Sequence, residues 1–353
     1  MSSTLSADPK PTQFDAGPFG KVYVTGALSG LVNGQSSAVS PPDHDWFGDL
    51  SNAQVFVQTT SGPVQFFLQA GAYSLPALGI PYAHVSDSRT VENATFGFLP
   101  QAFVKFQPTA EFSIEAGKLP TLVGAEYTFT YENVNVNRGL LWGFEPAVSR
   151  GVQANYSKGP LTVSVSLTDG YYSNRYNWLT GLVSFAVTKK DTLAFVGGGN
   201  LGQTPKSSFA TITPYNNGVI YNALWTHTED KWTFNPYFQY THVDGNCGLG
   251  WCHPGATWGV AGLLKYTLTP EWNVGARAEY VKQTGKSGDV LAPVLLYGPG
   301  SDAWSLTITP TYQKGIFYIR ADGAYVHASA PVFGSLFTDH NQFRFTGEAG
   351  VLF

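Results

Sequence analysis

The chain closes on "NQFRFTGEAGVLF" (341–353), with Phe343, Phe345, Ala349 and Val351 on one set of alternate positions and Gln342, Arg344, Thr346 and Glu348 on the other. A period of two is the mark of a strand with one apolar and one polar face. Alternation alone does not say whether the apolar face meets a protein core or lipid, because a soluble barrel and a membrane barrel differ only in which face is turned out.

The same pattern recurs upstream. In Lys231–His242, Trp232, Phe234, Phe238 and Tyr240 oppose Asn235, Tyr237 and Gln239. In Glu271–Val281, Trp272, Val274, Ala276 and Tyr280 oppose Arg277 and Glu279. In Ile316–His327, Phe317, Ile319 and Tyr325 oppose Arg320 and Asp322. Counting weaker runs, sixteen strands are expected, centred near residues 27, 54, 68, 101, 115, 152, 165, 183, 195, 223, 237, 262, 277, 306, 321 and 347. Helical periodicity is almost absent. Charged residues make up 12% of the chain and aromatic residues 15%, so there is ample apolar surface to fold. No apolar run reaches the roughly 18 residues that suggest a spanning helix, but a barrel strand needs only about 9–11.

The connections are sorted by length. "TSGPV", "QPTAE", "YSKGPL", "TKKDT", "HTEDKW", "LTPEW" and "YQKGI" are tight turns rich in Gly, Pro, Asp and Lys. Every other connection is longer, up to "PTLVGAEYTFTYENVNVNRGLLWGFEPA". A sandwich has no reason to alternate short with long. An up-and-down barrel does, since odd and even connections emerge at opposite ends, and short periplasmic turns with long external loops mark an outer-membrane barrel. Aromatic residues near strand ends (Trp232, Tyr240, Trp272, Tyr280, Trp304, Tyr312, Phe353) fit membrane-interface girdles. The fold expected is all-β: a transmembrane antiparallel up-and-down barrel of about 16 strands over 20–353. Residues 1–19 read as a periplasmic lead-in. They contain no secretory signal, so the chain is read as a mature form.

"GKLPTLVGAE" (117–126), "NVNVNRG" (133–139), "EPAVSRGVQANY" (145–156) and "VSVSLTDGYY" (163–172) resemble the OmpL-like family of β-barrel porins. That resemblance implies an outer-membrane barrel acting as a channel for small solutes. The family's usual small-polar run after its spaced Asn residues reads "RGLLWGFEP" here.

Passive diffusion needs a wet lumen and charges that bias what passes. The long loop 120–146 is expected to fold inward as a constriction, since loops of that length are usually functional or disordered. It carries Glu126, Glu132, Arg138 and Glu145, followed by Arg150 at the start of the next strand, and its aromatic residues favour packing. Strand parity adds Lys105, Glu115, Arg277, Glu279, Arg320, Asp322, Arg344 and Glu348 to the lumen wall. Their signs interleave, which suggests weak selectivity. The rival reading is a barrel whose lumen is plugged by loops and which serves as a structural, receptor or binding protein.

Cys247 and Cys252, in the external loop "VDGNCGLGWCHPG", read as a small disulfide ring formed in an oxidising compartment. Zinc would need two further ligands, with only His242 and His253 near, so no metal is expected. The seven histidines fall near loops or strand ends and none sits in a Ser/His arrangement, so no enzyme and no cofactor is expected. The net charge of −4, without a Lys/Arg cluster, gives no nucleic-acid footprint. The expected partners are the bilayer with its lipopolysaccharide, small hydrophilic solutes, and the outer-membrane assembly machinery, met through the C-terminal strand. A homo-oligomer is left open.

Overall fold

The computed structural model describes residues 3–6, 11–17, 20–39, 43–85 and 91–353. Its strands are β1 (Thr12–Asp15), β2 (Lys21–Gln35), β3 (Trp46–Thr59), β4 (Val64–Tyr73), β5 (Gln101–Phe106), β6 (Phe112–Pro120), β7 (Val148–Lys158), β8 (Leu161–Thr168), β9 (Trp178–Ala186), β10 (Asp191–Asn200), β11 (Gly218–Glu229), β12 (Trp232–Val243), β13 (Gly255–Thr267), β14 (Trp272–Gln283), β15 (Asp302–Lys314), β16 (Phe317–Ala328) and β17 (Asn341–Leu352). Each expected strand centre falls inside one of β2–β17. These sixteen pair antiparallel with their sequence neighbours, and β17 pairs with β2 from Arg344↔Gln35 to Leu352↔Ala27, closing the barrel.

Connection lengths alternate as the sequence predicts. The turns 159–160, 230–231 and 315–316 lie at one end, and the loops 74–100, 121–147, 201–217 and 284–301 at the other. Two-residue hairpin turns need a positive φ, supplied by Asp230 at 47° and Gly315 at 60°.

The barrel closes at its short-turn end on the last residue. Gly26 N–H donates to the Phe353 carbonyl at 2.6 Å, and Phe353 N–H returns a bond to Gly26 at 3.0 Å. The Phe353 ring lies over Gly26 so closely that no Cβ would fit there. Below this point β2 has a free edge, and the four-residue β1 pairs with it from Thr12↔Val24 to Asp15↔Lys21.

The faces settle what the apolar positions meet. Phe343 and Ile319 are 53% and 56% exposed, whereas Arg320 and Glu348 on the same strands are each 1% exposed. The apolar set therefore faces out and the charged set in, the inverse of a soluble barrel and the arrangement of a membrane barrel. On the outer face, Trp232 stacks near Tyr266 and Trp272 near Tyr312 towards the short-turn end. Trp258–Tyr280 and Trp304–Tyr325 form a second row towards the long loops, and all four ring pairs lie 4.1–5.4 Å apart.

The apolar core sits inside the barrel, around the loop 121–147. Leu141 and Phe144 of that loop pack among Leu263, Tyr237 and Val281 of the wall. Phe129 packs edge-on against Tyr73, with ring centroids 5.1 Å apart. The lead-in read for 1–19 is altered by two findings. Thr12–Asp15 is a strand, and residues 3–6 lie within the barrel. Ser3 Oγ donates to the Tyr131 carbonyl at 2.6 Å, Thr4 is fully buried, and Lys265 Nζ donates to the Ser3 carbonyl at 2.7 Å.

Candidate functional site

A loop crossing a barrel interior leaves strand geometry, so its amides and carbonyls need partners other than a ladder. In 121–147 some are satisfied within the loop. Asn133 accepts from Tyr127 N–H at 2.7 Å and donates to the Tyr127 and Phe129 carbonyls, each at 2.8 Å. Glu132 turns back to accept from Phe129 N–H at 3.1 Å. Many of the others are satisfied by charged groups on the inner faces of β14–β17.

Asp322 accepts from the backbone amides of Val136 (3.0 Å) and Asn137 (2.7 Å), and from Thr309 Oγ1 (2.6 Å). Glu279 accepts from the amides of Leu140 (3.0 Å) and Leu141 (3.3 Å), and from Ser305. Arg277 lies 2.6 Å from Glu126 and 3.1 Å from Glu279, and donates to the Asn137 carbonyl. Arg320 pairs with Glu348 at 2.7 Å and donates to the Thr130 and Asn133 carbonyls. Glu348 also accepts from Thr130 Oγ1 at 2.7 Å. Arg344 has no carboxylate partner among the described residues. It donates to Gln35 and to the Ala77 and Ile80 carbonyls, drawing in the loop 74–100. Wall carboxylates thus take loop amides, and wall guanidiniums take loop carbonyls.

Arg138 is fully buried between the two loops. It bonds the Thr128 carbonyl at 2.6 Å and stacks over Trp142 at 4.7 Å, and its backbone pairs with Pro76 and Leu78. Burial lowers its ionisation to about 10. Glu132 is raised to about 7 by burial, and burial pushes Glu145, beside Gly124 and Tyr237, well above the usual carboxylate range.

The nominated residues therefore separate into three groups. Glu126, Arg138, Arg277, Glu279, Arg320, Asp322, Arg344 and Glu348 form the buried loop–wall network, with Glu132 and Glu145 in the same loop. They were read as bordering water, but the loop covers them, because its backbone needs those charges more than the lumen does. Lys105 and Glu115 lie apart, opposite each other on β5 and β6. They are half-buried and line cavities of about 380 and 280 Å³ with Gln58, Gln65, Gln153 and Asn155.

Arg150 is a correction. It shares the outer face of β7 with Val152 and Tyr156, opposite Lys118 of β6. There it pairs with Asp169 at 2.7 Å and lies 3.9 Å from the Tyr172 ring centroid. Its parity with Val152 and Tyr156 was the available signal. Asn52, Thr130 and Thr309, which complete the network, were not singled out from the sequence. Cys247 and Cys252 are disulfide-bonded. His242 and His253 each face an aspartate, Asp244 and Asp289, and among the described residues no three metal-ligating side chains converge.

A closed sixteen-strand barrel with an apolar exterior, charges within and a long inward loop is a channel protein of the bacterial outer membrane. The chain belongs to the family described as Putative beta-barrel porin-2, OmpL-like, whose model matches residues 21–353. No curated protein matches it by sequence. Among solved structures it is similar to OmpT of Vibrio cholerae (11% identity, 98% of this chain and 100% of that one, TM-score 0.62). It is also similar to the outer membrane channel DcaP of Acinetobacter baumannii (11%, 94% and 97%, 0.62) and to an anion-selective porin from Comamonas acidovorans (8%, 94% and 99%, 0.63). At these identities the likeness is one of fold. The short-turn end is accordingly periplasmic and the long-loop end extracellular.

Proposed function

We propose that the protein passes small hydrophilic solutes and ions by passive diffusion through an off-centre path, with the loop 121–147 as a fixed constriction. The observation that carries this reading is the unequal filling of the barrel. Inner-face charges on β14–β17 are sealed beneath the loop, while towards the short turns Lys105, Glu115, Asn155 and Thr162 on β5–β8 remain partly exposed along cavities, next to the buried Gln101, Gln153, Ser164 and Ser166. Lysine and glutamate face each other on that side, which favours weak selectivity over a single-sign field. No catalytic step is proposed. The experiment is conductance of the detergent-purified protein in a planar bilayer. Stable current steps support the channel, and silence from a folded, inserted sample supports the plugged barrel.

The plugged reading has its own support, because Ser3–Ser6 and the loop together occupy lumen space between β13 and β15. The belt of aromatic residues favours a homo-oligomer. Paired Trp and Tyr cover β12–β16, whereas the outer faces of β4–β8 carry mainly Ala, Val, Leu and Phe. A contact between copies through β4–β8 would leave that sector without interface aromatics. One OmpT structure is a trimer. Cross-linking in mild detergent tests the association.

A further inference from the structure

Above the constriction, at the extracellular mouth, five loops enclose a cavity of about 420 Å³. It is chemically unlike the polar lumen below. Trp142 and Phe144 come from 121–147, Tyr171 from 169–177, Ala210 and Tyr215 from 201–217, and Tyr297 from 284–301, with aliphatic residues of 74–100 completing the wall. Among its described lining residues Glu145 alone carries an acid group and there is no Lys, Arg or His.

The walls are fixed before any solute arrives. Tyr171 donates its hydroxyl to the Phe144 carbonyl at 2.6 Å, and Tyr297 donates to the Gly79 carbonyl at 2.8 Å. Tyr215 donates to the Leu295 carbonyl. Each phenol ties its own loop to another, so the hydroxyls are occupied and the rings remain as apolar walls. Phe144 meets Tyr215 edge-on at 5.6 Å, and Tyr171 lies 6.0 Å from Tyr215. The indole N–H of Trp142 is buried without a hydrogen-bond partner. An apolar cavity of about 150 Å³ holds benzene, so this one has room for one or two rings. Pre-formed pockets with apolar walls and few polar groups are the usual form of a small-molecule site.

We propose that this cavity is a binding site for uncharged aromatic solutes of one or two rings, which it holds at the mouth before they meet the constriction. The role at the mouth rests on the channel reading, whereas the binding itself does not. Rigid ring walls favour such a solute by cutting the ordering cost of association, and the absence of basic groups gives no purchase to an anionic head. Burial, which pushes the Glu145 carboxyl well above the usual carboxylate range, weakens the competing attraction for a cation.

The probe is indole, titrated calorimetrically into detergent-folded protein against empty micelles, with glucose as a non-aromatic control. The expected result is saturable heat with indole and none with glucose. Affinity should fall at least tenfold in Ala210→Trp, which fills the cavity, and equally in Val294→Trp, with folding of each checked by heat-dependent gel mobility. Saturable binding unchanged in both filled variants, or no indole heat in the wild type, would overturn the site. In bilayers, indole added on the loop side should interrupt the current of the wild type and not of the filled variants. A wild type that binds indole but never conducts would retain the site and remove the channel.

Discussion

Arg277 of the barrel wall and Glu126 of the inward loop lie 2.6 Å apart, both fully buried, with Glu279 completing the group on the wall side. A buried ion pair is a poor source of net stability, but removing one member strands the other's charge at about 3–5 kcal/mol. Arg277→Met should therefore lower stability by that order and free the loop, read as a drop in unfolding midpoint and noisier single-channel current. Adding Glu126→Gln should recover part of the loss. Additive losses in the double variant would mean that the pair does not act as a unit.

Asp322 tests the backbone side of the same clamp. Its carboxylate is the partner of two loop amides, so Asp322→Ala leaves them unpaired at about 1–3 kcal/mol per group. Hydrogen exchange at Val136 and Asn137 should accelerate in the variant while exchange in β10–β12 is unchanged. Equal exchange at the two amides would show that the loop is held elsewhere.

Glu132 gives the loop a pH dependence. Burial raises its carboxyl to about 7, so the folded state binds a proton more tightly than the unfolded chain. The resulting stabilisation is present below the unfolded value near pH 4.5 and is lost as pH rises through about 7. Glu132→Gln should flatten that part of the stability–pH curve in urea titrations. An unchanged slope between pH 4.5 and 7 would remove Glu132 as its source.

Selectivity should depend on face rather than on proximity in sequence. Lys105→Glu places a new negative charge on the wet side and should shift the reversal potential towards cation preference. Arg150→Glu, on the outer face beside Asp169, should leave it unmoved while weakening the rim. A shift from Arg150 without one from Lys105 would invert the proposed path.

Phe353 closes the barrel against Gly26 and β2. Deleting it should reduce assembly in cells more than refolding in detergent, because a terminal aromatic on the last strand also resembles an insertion signal. Equal losses would make it an ordinary interface residue.

The strands were legible because lipid imposes period two along most of β12, β14, β16 and β17, with exceptions such as the inward-facing Val281 and Val326, and because connection length follows parity. The inward loop was an expectation drawn from its length and aromatic content. Its partners were not legible. Asp322 lies 185 residues from Asn137, and no local pattern links them. An inward charge on a barrel strand reads the same whether it faces water or a loop backbone. Arg150 was placed correctly at the start of its strand but grouped with the constriction, although its parity with Val152 and Tyr156 puts it on the outer face. The entry of Ser3–Ser6 into the lumen had no sequence signal, since four small or apolar residues fit a lead-in equally well.

The most direct test of the off-centre path is thiol modification during single-channel recording. In a protein carrying Asn155→Cys, a membrane-impermeant charged thiol reagent should change the current in steps, while Thr309→Cys, beneath the loop, should remain silent. Modification that affects the current through Thr309→Cys and not through Asn155→Cys would contradict the account.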